Sequence, residues 1–294
     1  MQMRGLRSRT ASPAPKPRTT SPTPKSRRAA SPASKPRAVR RASKPAQEDE
    51  DYWLNSDGQH GTPFYCSGRP RPLLRGRLHL YAALSAPLWT AYQLSLCHSG
   101  EEIFAVLIAC FGAASMLSAS GCYHCIDWKT EAREEVAGKA DLACIYLQIA
   151  FGAVPIYVLL LPPPLGWWSV LALAACATAG VSLSFSRMPV GRHAGTIIYI
   201  LMAALQAPLL LAPLAPDRGT HASVLSRMRW DERSLLLAMA LSYLGGSQIY
   251  AHARPKLWPS VFGFHELWHV CVAVGTGLMF ACNCCLLARR AGTD

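Results

Sequence analysis

The sequence predicts an all-α, polytopic membrane protein: a seven-transmembrane helix bundle preceded by a disordered basic tail. Three observations carry this expectation. Of the 294 residues, 51% are hydrophobic and 16% charged, against roughly 25% charged in an ordinary soluble domain. Seven stretches, 78–96, 103–123, 142–161, 167–185, 195–215, 234–251 and 267–287, contain no Asp, Glu, Lys or Arg. At about 18–24 residues, each can cross a hydrocarbon core of roughly 30 Å as a helix. Finally, the net charge of +13 is confined to one end of the chain.

Residues 1–47 hold four Lys and nine Arg and no Asp or Glu. The rest of the chain has 17 basic residues against 17 acidic ones and is neutral, so the charge is no nucleic-acid footprint and no nucleic-acid partner is expected. The basic segment repeats ThrAlaSerPro at 10–13, ThrThrSerPro at 19–22 and AlaAlaSerPro at 29–32. It has almost nothing to bury, so ordering it would cost entropy without return. Three readings fit it: an arm on anionic lipid headgroups that Ser-Pro phosphorylation would loosen, a solvated tail, or a cleaved transit peptide.

Residues 48–77 form a linker and juxtamembrane segment, opening GluAspGluAsp at 48–51, and 78–290 form the membrane domain. Trp167, Trp168, Trp230 and Trp258 stand at or near run ends, where amphipathic rings favour the headgroup layer. Pro87, Pro155, Pro208, Gly245 and Gly246 lie inside runs, a placement tolerated where neighbouring helices satisfy the freed backbone. Lys and Arg are more numerous in the flanks on the N-terminal side, including Arg69, Arg71, Arg75 and Lys129, than in the opposite flanks, including Arg227 and Arg289. A cytoplasmic N-terminus and an outside C-terminus follow. Neither the compartment nor the oligomeric state is written in any motif.

The 11 cysteines lie mostly in or beside apolar runs, where a thiol behaves as a small buried apolar group. Cys122 and Cys125 have CxxC spacing, but no second pair accompanies them, so a zinc ribbon is not expected.

The chemistry emerges at the helix ends. His265 and His269 are four apart, so a last helix starting near residue 264 projects both imidazoles from one face, the spacing two ligands of one tetrahedral zinc need. His124 ends the second run at the same membrane level, whichever way the protein is inserted. Three histidines leave a fourth zinc position for water, whose pKa zinc lowers to about 7. Asp141, opening the third run on that face, is placed to orient or deprotonate such a water. Ser120, one turn before His124, can hydrogen-bond substrate or water. His79, at the start of the first run, is a rival ligand or a group supporting one. HisGluLeuTrpHis at 265–269 also fits the HExxH motif of zinc proteases. After His269, however, the chain has no His or Glu to complete such a site.

SerGlyCysTyrHisCysIleAspTrp at 120–128, LysAlaAspLeu at 139–142 and ArgProLysLeuTrpProSerValPheGlyPheHisGluLeuTrpHis at 254–269 resemble elements of the hemolysin III and progestin/adipoQ receptor family. The resemblance covers about 75–290, and the Trp128–Lys129 region is similar to the monocyte-to-macrophage differentiation branch. It implies a seven-helix bundle with a zinc site matching Ser120, His124, Asp141, His265 and His269. It further implies relatives similar to lipid amidases such as ceramidases, beside others described as receptors or cytolysins. One departure stands out. The family's early Glu and Asn followed by His is reduced here to His79, with Arg71 and Arg75 nearby, so a carboxylate able to hold the site's loops or carry a proton is missing.

The expected function is thus a zinc-dependent hydrolase of a ceramide-like lipid amide, with membrane lipids as surroundings and a lipid as substrate or ligand. The alternative is a non-catalytic receptor or signalling scaffold in which zinc ties helices together. A retinal pigment is disfavoured, because 267–287 has no Lys for a Schiff base.

Overall fold

A computed structural model of the protein describes residues 64–66, 68–188, 190–211, 223–258 and 260–291, without the side chains of 208, 209 and 291. The tail expected at 1–47 and the linker residues 48–63 lie outside them. Among the described residues there is no strand, only helices and two isolated bridges, Phe64 with Pro70 and Trp258 with Phe262.

The helices are α1 (Arg77–Ser95), α2 (Gly100–Cys125), α3 (Glu131–Phe151), α4 (Val154–Leu160), α5 (Leu165–Phe185), α6 (Arg192–Ala204), α7 (Ala207–Leu211), α8 (Val224–Arg227), α9 (Trp230–His252) and α10 (Phe264–Ala291). Over its described residues, each of the seven apolar runs falls on one or two of them, 212–215 of the fifth run lying outside those residues. The segments Gly100–Cys125, Glu131–Leu160, Leu165–Phe185 and Phe264–Arg290 are long and apolar enough to cross a membrane. Polar side chains such as His79, Gln93 and Glu232 dilute α1 and α9, and all three are buried.

Two runs are interrupted upstream of a proline. The third ends as α3 at Phe151 and restarts as α4 at Val154, with Pro155 in the first turn; the fifth breaks at Leu205 before Pro208. A proline tolerates a first turn because its missing N–H would be unpaired there anyway. Pro87, in contrast, sits inside an unbroken α1.

The third helix also begins earlier than its apolar run. Thr130 Oγ1 accepts from Arg133 N at 3.4 Å, and Glu135 pairs with Lys139 one turn on at 2.8 Å, so the charged stretch 131–141 is helical. Asp141 therefore stands about 15 Å along α3 rather than at its start.

Packing closes a ring: α1 on α2, α2 on α3, α3 on α6, α6 on α9, α9 on α10 and α10 back on α1, with α5 laid against α3. Its largest apolar core gathers Tyr146, Ile156, Tyr157, Leu173, Met202 and Leu286. Large apolar residues such as Leu84, Leu88, Phe111 and Leu241 face outward. Polar groups inside and apolar groups outside is the arrangement that a hydrocarbon surrounding requires.

Four buried glutamates near helix N-termini each meet an arginine from another segment: Glu102 with Arg290 at 3.6 Å, Glu134 with Arg69 at 3.1 Å, Glu232 with Arg289 at 3.4 Å, and Glu266 with Arg75. Glu102, Glu232 and Glu266 also accept from the backbone N–H three residues back, at 3.3, 2.7 and 2.7 Å. Each of these three carboxylates thus satisfies an orphan donor and the positive end of a helix dipole while its charge is neutralised across the bundle.

The α9–α10 contact depends on Gly246, where a Cβ would come within 2.5 Å of Cys271 Cβ and 2.7 Å of the Trp268 ring. Gly246→Ala should therefore destabilise the protein by about 1–3 kcal/mol through overpacking. Thermal unfolding in detergent checks it, and an unchanged midpoint would refute this account of the contact.

Candidate metal centre

Three histidines from two helices meet at one end of the ring. α10 begins at Phe264, so His265 and His269 share a face one turn apart, with ring centroids 4.7 Å apart. His124 approaches from the last turn of α2, with centroids 4.9 Å from His265 and 5.1 Å from His269. One ring nitrogen from each can be chosen so that all three lie within 4.8 Å of one another. Such a set shares a point about 2.8 Å or less from each atom, against roughly 2.0–2.1 Å for a Zn–N bond. His124 and His269 are almost wholly buried, and His124 Nε2 and His269 Nδ1 have no hydrogen-bond partner. Buried polar atoms without partners are costly, and a metal ion is an occupant that relieves this cost. The donor set therefore fits a metal.

A chain segment ahead of α1 shapes this end. Gly76 caps α1 with φ +75°, and a Cβ there would lie 2.3 Å from His124 Cβ. Only a residue without a side chain lets the backbone turn against His124. Tyr65 Oη lies 2.6 Å from His124 Nδ1. In the tautomer with hydrogen on Nδ1, the ring donates to Tyr65 and its Nε2 lone pair is free for a metal, the usual outer support of a ligating histidine. Burial holds the Tyr65 phenol above its ordinary pKa, so it is neutral. Arg69 and Arg71 lie over its ring at 5.2 and 5.7 Å.

The matched family is decided by the chain's extent as well as its motifs. The model of proteins described as haemolysin-III related matches residues 68–280, nearly three quarters of the chain. The chain belongs to the haemolysin-III-related family. Hemolysin-3 of Bacillus cereus is 28% identical over 142 residues, 48% of this chain and 57% of that relative. The chain thus spans little more than half the length of this haemolysin-III relative.

As a haemolysin-III-related protein with apolar helices of membrane-crossing length, the chain fits a multi-pass integral membrane protein. The family match contains all five expected site residues. Asp141 Oδ2 is 3.5 Å from His124 Nε2, so the carboxylate stands beside one member of the three-histidine group. Ser120 is buried one turn before His124. His79 is not in the three-histidine group. It stacks on His269 with centroids 4.0 Å apart and donates from Nε2 to the His269 carbonyl at 3.2 Å, which orients a ligand candidate instead of replacing one. Cys122 is exposed and Cys125 donates to the Arg75 carbonyl at 3.6 Å, so neither thiol joins the centre.

The protease reading of HisGluLeuTrpHis fails on Glu266. Its carboxylate is fully buried, pairs with Arg75 through Oε1 and accepts from Gly263 N through Oε2 at 2.7 Å; both oxygens are engaged away from a general base's task. In this chain, the segment before α1 supplies the arginine and α10 the acid, and Leu73 N and Leu74 N add bonds to the carbonyls of Ser260 and Val261 at 2.9 and 3.2 Å. Tyr65 and the Arg75–Glu266 pair escaped sequence reasoning. The one available signal was the charge-complementary ArgProLeuLeuArg ahead of the first run and a Glu inside an apolar helix start.

Two measurements test these assignments. Tyr65→Phe should weaken metal retention about 10–100-fold in chelator competition with little change in unfolding midpoint; unchanged retention would remove Tyr65 as a support. Arg75→Leu leaves a buried carboxylate unpaired and should cost about 3–5 kcal/mol of stability, read by thermal unfolding.

Proposed function

We propose that this haemolysin-III-related protein is a seven-pass membrane protein with a cytoplasmic N-terminus, and that it is a zinc-dependent hydrolase of a lipid amide of the ceramide type. The observation that carries the reading is a partly exposed carboxylate, Asp141, 3.5 Å from the unpartnered Nε2 of a three-histidine group, at the end of a ring whose outer faces are apolar. All seven helical units then cross the bilayer, α3 with α4 as one and α6 with α7 as another, because the interior polar groups that dilute α1 and α9 face protein.

His124, His265 and His269 would hold the metal, which supplies Lewis acidity toward a carbonyl and toward water. The side chains of this chain do the rest. Asp141 Oδ2 takes a proton from attacking water and returns it to the nitrogen of the departing amine, so the acyl–nitrogen bond breaks to a fatty acid and an amine. Tyr65 and His79 hold the imidazoles in orientation. The substrate's chain reaches the site through the bilayer, which accounts for a catalytic end set in apolar helices. A cavity of about 200 Å³ lined by Phe64, Tyr65, Arg71, Asp127 and Trp128 adjoins Tyr65 and suits a polar headgroup.

A second reading rests on the same carboxylate. Three histidines and Asp141 make four donors, the number that closes a structural zinc site, and zinc would then tie α2, α3 and α10 together in a receptor or scaffold.

Elemental mass spectrometry of detergent-purified protein should find about one zinc per chain, lost in His124→Ala and His265→Ala; a metal-free wild type overturns both readings. Asp141→Ala separates them. The hydrolase loses ceramide turnover by roughly 10²-fold or more while keeping zinc and its unfolding midpoint, whereas the scaffold loses zinc and stability together.

A further inference from the structure

The chain ahead of α1 is held in two different ways. Its second half is locked by buried groups and backbone bonds: Arg75 pairs with Glu266, and Leu73 N and Leu74 N donate to the carbonyls of Ser260 and Val261 at 2.9 and 3.2 Å. Its first half, residues 64–66 and 68–71, closes on itself. Phe64 bridges to Pro70, Tyr65 N donates to the Arg69 carbonyl at 2.9 Å, and Gly68 N donates to the Tyr65 carbonyl at 2.9 Å. Gly68 makes this turn at φ +75°, with open space where a Cβ would stand. These backbone bonds lie inside the loop, so the loop keeps them when it moves as a unit.

Four side chains tie the loop to the helices. Tyr65 Oη lies 2.6 Å from His124 Nδ1, and Cys66 Sγ donates to the Trp128 carbonyl at 2.7 Å. Arg69 donates to Tyr123 Oη at 2.8 Å and pairs with Glu134 at 3.1 Å. Arg71 pairs with Asp127 and donates to the Ile126 carbonyl at 3.1 Å. The side chains of Arg69 and Asp127 are 61% and 77% exposed, and ion pairs with an exposed member are weak and screened by salt.

The Tyr65 side chain is nevertheless buried, at 6% exposure. The cavity of about 200 Å³ lies between this loop and residues 126–128 of the α2–α3 connection, which together supply its lining. The loop therefore does not sit flush on what it covers, unlike a close-packed interior. A buried ring is thus carried into the histidine centre by a self-bonded loop that spans a void and is fastened at its edges by surface charges. Such a segment belongs to the parts of a fold that open locally at small cost.

We propose that residues 64–71 form a flap over His124, latched by the Arg69–Glu134 and Arg71–Asp127 pairs, whose opening withdraws Tyr65 from His124 and admits water to the histidines from the aqueous side. The hinge lies at Pro72, where the locked half begins. The flap rests on the metal assignment made above and on no particular reaction at the metal. It makes the rate of metal exchange depend on two ion pairs that touch no ligand.

The test follows zinc release from the full-length, zinc-loaded protein in detergent to EDTA, at chelator concentrations where the rate no longer changes and opening of the protein limits it. Asp127→Asn removes one latch and should speed release about two- to five-fold, the span an exposed pair is worth. Glu135→Gln is the control: it removes the same charge from the same end, and its partner Lys139 lies on α3, so its rate should equal the wild type's. Raising sodium chloride from about 0.05 to about 1 M, where the Debye length falls to about 3 Å, should speed release from the wild type and do so less in Asp127→Asn. Equal rates in Asp127→Asn and the wild type overturn the flap and leave the metal assignment standing. A matching acceleration in Glu135→Gln, or a wild-type rate indifferent to salt, does the same. A wild type that binds no zinc overturns both.

Discussion

A carboxylate sealed inside an apolar bundle is stable only against a partner of opposite charge, and Glu266 meets that condition through Arg75, with the Gly263 N–H donating as well. The pairing fixes the start of α10 to the segment that leads into α1. Gly76, next in the chain, lies against His124, so the same short stretch presses on α2 as well. With those three helix ends at one level, His124, His265 and His269 have no room to be far apart. The meeting of the three histidines is a consequence of how the bundle neutralises a buried charge.

The same constraint recurs at the other end. Arg289 and Arg290, in the last turn of α10, reach Glu232 of α9 and Glu102 of α2. Breaking one member of such a pair costs more than the pair contributes relative to apolar side chains, so these contacts act chiefly as registers. They set how far each helix slides against the next, and the positions of imidazoles about 5 Å apart depend on that register.

Much of this was legible in the residues. Periodic apolar runs mark the helices because a hydrocarbon surrounding admits little else. The four-residue spacing of His265 and His269 implies a shared face once the helix start at 264 is set. The place of His124 follows from counting crossings. The helical character of 131–141 was not legible, because Glu131, Glu134, Glu135 and Lys139 look like a loop until the Thr130 cap and the Glu135–Lys139 pair are seen. The HExxH pattern is ambiguous for a related reason: a motif gives residue types, while the role of Glu266 depends on an arginine 191 positions away.

By itself, then, the sequence determined the α-helical class, the apolar outer surface, the family resemblance and the identity of the three histidines, since these depend on local periodicity and on residue type. Tertiary structure alone decided which carboxylate lies beside His124, which is locked in an ion pair, and that Tyr65 hydrogen-bonds His124. Those outcomes rest on contacts between residues far apart in the chain, and the energy of a buried polar group depends on what happens to lie opposite it.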